Sequence, residues 1–143
     1  QIAAPALAYG HGVVGFSPMD VNLSKQVYIL LTEMGIAPDK IIIDPLTGGI
    51  GRGFEYTYST IERLRLGALG GDNKMAFPMI VQASEAYAVR EANKNIEGLG
   101  ETSFRGPYLE AMTAFGCAMA GADLLILRHP DAFRTIKETL NLY

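Results

Sequence analysis

The sequence predicts an α/β fold built from about four βα units. Three observations predict it. Short apolar runs recur along the chain, led by the β-branched Ile41-Ile42-Ile43. Each run ends in a loop of turn-forming Gly, Pro, Asp or Ser. Each loop gives way to a stretch with apolar residues at helical spacing. Strands apolar on both faces suit a parallel sheet covered by helices.

The elements follow in order. Ile2–Tyr9 is small and apolar and ends at Gly10, the pattern of a helix tail with its closing glycine. Val13-Val14-Gly15-Phe16 is a short buried strand stopped by Ser17-Pro18. Asp20 or Asn22 can cap the next helix, whose core face is Val27, Leu30, Leu31 and Met34. Gly35 and Pro38-Asp39 close it. Ile41–Ile43 is the strongest strand, ended by Asp44-Pro45. A loop with Gly48, Gly49, Gly51 and Gly53 leads to a helix from about Glu55 to Leu69, with Tyr58, Ile61, Leu64 and Ala68 inward. Tyr56 and Tyr58 are two positions apart, so only one of them can be core. Met75–Val81 reads as a third strand, with Pro78 marking an edge, a bulge or a break. Ser84 is expected to cap a helix running to about Lys94, and a second helix is expected from Tyr108 to about Ala120. Asp123–Leu127 is the fourth strand. Pro130 suits the first turn of a last helix carrying Phe133, Ile136 and Leu140.

A chain of 143 residues is expected to form one domain. Two architectures fit four βα units: a small doubly wound sheet, or part of a (β/α)8 barrel. A full barrel needs about 250 residues, so roughly half of one is present. The opening at Gln1, inside a helix tail and without an initiator Met, suits a chain cut in mid-barrel or a processed piece of something longer.

Composition narrows the function. Lys and Arg total 12 against 15 Asp and Glu, a formal net charge of −3 with no basic block. That argues against nucleic acid or an anionic membrane as the main partner. No apolar stretch is long enough to span a bilayer. The single cysteine, Cys117, forms no internal disulfide and no cluster by itself, which points to a reducing cytoplasm. Cys117 sits among Met112, Phe115 and Met119 in a helical pattern, so it reads as core. His11 and His129 share no metal-binding spacing.

In either architecture chemistry sits at the C-terminal ends of the strands. Those ends carry Ser17–Asp20, Asp44–Gly49, Gln82–Ser84 and Arg128–Pro130. Gly51-Arg52-Gly53 begins like a dinucleotide fingerprint but lacks its third glycine, and no Walker sequence is present. The glycines of this loop read better as backbone bared for a large flat ligand or a partner subunit. Asp44 suits a general base, a hydrogen-bond acceptor or a turn-former before Pro45. His129 suits an acid–base group or a cap beside Pro130.

The stretches Ser17-Pro18-Met19-Asp20-Val21-Asn22, Ile43-Asp44-Pro45 with Gly49-Ile50-Gly51, Glu55-Tyr56-Thr57-Tyr58 with Glu62-Arg63-Leu64-Arg65, and Arg128-His129-Pro130 resemble a known family. It is the small subunit of the corrinoid iron–sulfur protein, whose archaeal counterpart is the delta subunit of the acetyl-CoA decarbonylase/synthase complex. The resemblance covers essentially the whole chain and maps to the C-terminal half of that subunit's barrel. It implies a TIM-barrel fold with residues 1–143 as one partial domain, a half barrel. It implies a cobalamin shared with a large corrinoid iron–sulfur subunit, which alone carries the iron–sulfur cluster. Cobalt in that family accepts a methyl group from a methyl-pterin through a methyltransferase and delivers it to acetyl-CoA synthase.

On this reading the strand ends form one wall of the cobalamin site. The candidate residues are Ser17, Asp20, Asn22, Asp44, Thr47, Gly48, Gly49, Gln82, Arg128 and His129. No catalytic residue, no metal ligand and no independent turnover are expected of this chain. Unpaired edges make self-association of half barrels a further expectation. Two alternatives stand beside this reading: a pterin-dependent methyltransferase of the same barrel superfamily, and a purely structural half barrel.

Overall fold

The computed structural model describes residues 2–141. The expected domain span of 1–143 includes Gln1, Leu142 and Tyr143, which lie outside the described residues. The order is α1 (Ala3–Tyr9), β1 (Val13–Phe16), α2 (Val21–Glu33), β2 (Ile41–Asp44), α3 (Phe54–Leu69), β3 (Ile80–Gln82), α4 (Arg90–Asn93), α5 (Thr102–Ala120), β4 (Leu124–Ile126) and α6 (Pro130–Thr139). Among the described residues no helix is long and apolar enough to cross a membrane.

The strands form two parallel pairs and not the four-unit half barrel expected from the sequence. β1 lies beside β2, with Val13 opposite Ile41 and Phe16 opposite Asp44. β3 lies beside β4, with Ile80 opposite Leu124 and Gln82 opposite Ile126. One bridge, Ile43 to Met79, joins the pairs, and the Ile43 N–H donates to the Pro78 carbonyl at 2.9 Å. The physical reason is local. Pro78 has no N–H to give a ladder, and the expected strand Met75–Val81 shrinks to Ile80–Gln82. Strands of three or four residues leave little backbone to zip further.

Burial is one-sided. Ile41, Ile43, Met79 and Val81 are fully buried against Ile61 and Leu64 of α3. Phe77 stacks obliquely on Tyr28 of α2, ring centroids 5.3 Å apart. The alternate residues, Val14 and Phe16 on β1 and Leu124 and Ile126 on β4, are exposed. The registers place them on one side of the two pairs. A second, smaller core of Ala83, Ala111, Ala114, Ala132 and Ile136 joins α5 to α6. Small side chains let these two helices approach closely.

Several helices differ from their expected form. α1 closes as expected on Gly10, at φ 71°, and Asp20 is the cap of α2. The inward face of α2 is Ser24, Tyr28 and Leu31, while Leu30 and Met34 are exposed. Tyr56 is exposed and Tyr58 packs on the core. The helix expected after Ser84 is a 3₁₀ segment over Ala83–Ala88 followed by the single turn of α4. α5 starts six residues before Tyr108 and carries Pro107 inside it. Its first turns are exposed at Ser103 and Phe104, so water can serve the carbonyl that Pro107 leaves free. In α6 the buried residues are Ala132 and Ile136, and Phe133 is exposed.

Candidate functional site

The exits of β1, β2 and β3 are tied to one another. The Ser17 N–H donates to the Asp44 carbonyl at 2.9 Å, extending the β1–β2 pairing by one residue. The Ser17 hydroxyl is fully buried, 2.7 Å from that of Ser24, which donates to the Asp20 carbonyl at 2.8 Å. Asp20 spends one carboxylate oxygen on the N–H groups of Asn22 and Leu23, at 2.8 and 3.0 Å. Asn22 is exposed in the first turn of α2.

Asp44 is 8% exposed. One of its oxygens accepts the Leu46 N–H at 2.9 Å, and the other accepts from the Gln82 amide at 3.4 Å. Thr47, also buried, accepts the Gln82 N–H at 2.8 Å. Together these bonds couple the end of β2 to the end of β3, across the gap where the sheet has a single bridge.

Gly48 and Gly49 line a hollow at the β2 exit, and each also lets another stretch of backbone pack closely against it. A Cβ on Gly49 would lie 2.6 Å from the Ala86 backbone, and one on Gly48 would lie 2.6 Å from the Gly53 backbone. The Gly48 N–H donates to the Thr57 hydroxyl at 2.7 Å, and Thr57 donates in turn to the Leu46 carbonyl at 3.1 Å.

Two residues at these exits hold backbone angles that side chains disfavour. Met19 has φ 50° and Leu46 has φ 64°, in the left-handed region. Each costs on the order of 1–2 kcal/mol there. The Met19 N–H donates to the Pro45 carbonyl at 2.8 Å, and Asp44 holds the Leu46 N–H. Both side chains line a hollow of about 220 Å³ with Thr47, Arg52 and Glu85. Strain of this kind collects at functional sites, where surrounding bonds over-determine it.

The β4 exit is built separately. Arg128 is exposed, and its guanidinium lies over the Tyr87 ring, 4.9 Å from the centroid. The Tyr87 hydroxyl has no hydrogen-bond partner among the described residues. Burial raises its pKa above the usual phenol value; the Glu110 charge adds to this and Arg128 opposes it. His129 caps α6, its Nδ1 accepting the Asp131 N–H at 3.1 Å. Beneath both, the fully buried Glu110 carboxylate accepts the N–H groups of Arg128 and His129. No direct hydrogen bond joins Arg128 or His129 to the Asp44 group among the described residues.

Sequence reasoning missed Met19, Leu46, Tyr87 and Glu110 as site-forming residues. Glu110 carried a signal: it is the lone charge between Arg105 and Asp123, inside an apolar helix. Nothing in the sequence marks Leu46 as left-handed. Cys117 is buried as expected, and burial pushes its thiol up to about 12, so it is inert as a nucleophile. Among the described residues no group of three or more His, Cys, Asp or Glu side chains is arranged to hold a metal ion. A larger apolar groove of about 500 Å³ runs beside Leu99, Phe104 and Tyr108. Asp131 and Thr135 of α6, just past the β4 exit, also line it. Its Arg105 side chain is already turned to the Glu91 and Lys94 carbonyls.

The profile of one protein family, described as the CO dehydrogenase/acetyl-CoA synthase delta subunit, matches residues 1–142. The chain is 37% identical over 140 residues to the acetyl-CoA decarbonylase/synthase complex subunit delta of Methanopyrus kandleri, covering 98% of this chain and 35% of the relative. It is 35% identical to the delta subunit of Methanosarcina mazei, covering 96% of this chain and 33% of the relative. Against that of Archaeoglobus fulgidus it is 34% identical, covering 99% and 33%. The chain therefore spans about a third of the length of the curated relatives it matches. A match this broad agrees with the motif resemblance, and the chain belongs to the CO dehydrogenase/acetyl-CoA synthase delta subunit family.

Proposed function

We propose that this chain supplies one wall of a cobalamin site in a methyl-transferring CO dehydrogenase/acetyl-CoA synthase system, and that it has no turnover of its own. The observation that carries the reading is the pair of left-handed residues, Met19 and Leu46, fixed by hydrogen bonds at adjoining strand exits beside Asp44, Thr47 and Gln82. The donor set suits a flat macrocycle with an amide rim. Exposed Phe16, Leu46 and half-buried Met19 give apolar contact, while Asn22, Asp44, Gln82 and Arg128 give hydrogen-bonding groups. The hollow of about 220 Å³ is far too small to enclose a corrinoid, which fits a wall completed by another chain.

When bound, cobalamin supplies a cobalt that takes up and gives up a methyl group. The chain's own residues bind and orient. Gln82 and Asp44 present acceptors and donors at the centre of the surface. Ser17 is buried and shapes the surface from beneath, while Thr47, Gly48 and Gly49 line its hollow. Asp20 fixes the start of α2 and so the place of Asn22. His129 fixes the start of α6 and so the place of Arg128. The proposed partners are a large corrinoid iron–sulfur subunit that shares the cofactor, a methyltransferase loading it from a methyl-pterin, and acetyl-CoA synthase receiving the methyl group. Self-association through the uncovered side of β1 and β4 is proposed for the chain in isolation.

Cobalamin titration followed by absorbance tests this, with and without the large subunit. The expected result is weak binding by the chain alone and tight binding by the pair. Equal binding by the large subunit with and without this chain would overturn the proposal. So would methyl transfer from methyltetrahydrofolate to free cobalamin by the chain alone, above the protein-free rate.

A further inference from the structure

We propose that Glu110 is the positioning residue of the β4 exit: by accepting the N–H groups of Arg128 and His129 it sets where the Arg128 guanidinium stands on the ligand-facing surface. The proposal rests on the corrinoid-wall reading and adds to it a residue from outside the strand ends.

Glu110 is completely inaccessible, on the face of α5 that packs against α6 through Ala111, Ala114, Ala132 and Ile136. A carboxylate in such a place must be met by donors. Both donors come from successive residues, Arg128 to one oxygen and His129 to the other. Successive N–H groups of a regular strand point to opposite sides, so one carboxylate catching both fixes the bend at which β4 ends. The start of α6 follows at once, and its positive end favours a negative charge.

The same helix face also sets the Arg128 side chain. Gly106 lies one turn before Glu110 on α5. A Cβ there would come within 2.6 Å of the Tyr87 ring, so the glycine makes the seat for that ring. Tyr87 in turn is the platform under the guanidinium, at 4.9 Å. Arg128 has no carboxylate within ion-pair distance among the described residues. Clamp, seat and platform therefore hold one unneutralised cation at the strand-end surface. Glu110 acts through Arg128 and does not touch the ligand.

The test uses the full chain with cyanocobalamin as probe, in Glu110→Gln, Glu110→Asp, Arg128→Ala and the double variant Glu110→Gln/Arg128→Ala. Glutamine keeps the volume but turns an NH₂ donor toward a backbone donor. Amide exchange at Arg128 and His129 is expected to speed up in Glu110→Gln, while Ile43 and Val81 stay protected. Glu110→Asp, with a shorter arm, is expected to fall between. Half-saturation by cyanocobalamin is expected to rise about tenfold in Glu110→Gln, the effect of one lost charged hydrogen bond. In the Arg128→Ala background the same change is expected to add almost nothing. Unchanged exchange at Arg128 and His129 in Glu110→Gln and Glu110→Asp would overturn the proposal. An equal loss of binding with and without Arg128 would also overturn it, because a general structural role would act in both backgrounds. If the wild-type chain fails to bind the probe even with the large subunit, the corrinoid reading falls. Faster exchange at the two amides would still uphold Glu110 as the clamp.

Discussion

Asp44 accepts the Leu46 N–H and so helps to hold Leu46 at φ 64°. Leu46→Gly removes a backbone penalty of about 1–2 kcal/mol but adds about 0.5–1 kcal/mol of chain entropy to the unfolded state. Stability is expected to change by no more than about 1.5 kcal/mol, while cobalamin binding falls because the apolar side chain is gone. Thermal unfolding beside a cobalamin titration checks the split. Asp44→Ala should weaken cobalamin binding more than it lowers stability. If folded Asp44→Ala binds normally, Asp44 is a turn residue only. Cys117 gives a pH prediction. Its thiol is raised to about 12 in the folded chain against 9.0 unexposed to such burial. Above about pH 9 the unfolded state sheds this proton and the folded state keeps it, so this contribution to stability is lost as pH rises toward about 12. Denaturant unfolding at pH 8 and pH 10.5 measures the fall.

At the scale of elements, the parts stated by local chemistry were legible. β1 matches Val13–Phe16, α1 stops at Gly10, and Asp20 caps α2. The strand ends were legible as places where polar residues gather, since an apolar strand must end in groups that water or caps can satisfy. What failed depended on neighbours far away in sequence. The inward face of α2 includes Ser24, whose hydroxyl meets that of Ser17, a pairing that helical spacing of apolar residues cannot reveal. Pro107 reads as a boundary, yet it sits inside α5, where Ser103, whose carbonyl it leaves free, is exposed to water. Glu110 lies in an apolar helix and serves a loop 18 residues on. The joint between α5 and α6 gives a further prediction. Ala114 and Ala132 are at 0% and 1% exposure, so Ala114→Leu has no room to fill. Overpacking is expected to cost about 1–3 kcal/mol in denaturant unfolding and to loosen the β4 exit with it.

For the whole molecule, the sequence told α/β, parallel pairing and family membership, and it misled on the sheet. Four βα units read from a pattern suggest one continuous ladder. Pro78 and strands of three or four residues leave two pairs joined at Ile43 and Met79. One side of those pairs packs on helices, and the other leaves Val14, Phe16, Leu124 and Ile126 exposed. Exposed apolar side chains on the two outer strands favour association. Sedimentation at micromolar concentration is expected to show concentration-dependent species that Phe16→Lys shifts toward monomer. A compact monomer at every concentration would count against it.

The strand-end surface, shaped by Met19, Leu46 and the Glu110 clamp, is proposed to face the corrinoid. Amide hydrogen exchange of the chain with the proposed large subunit, with and without cyanocobalamin, tests it directly. Added protection is expected at Met19–Asp20, Leu46–Gly49, Gln82 and Arg128–His129, with little change at the opposite end around Gly10, Gly35 and Lys40. Protection at that opposite end, or along the groove of Phe104 and Tyr108, with none at the strand exits, would contradict it.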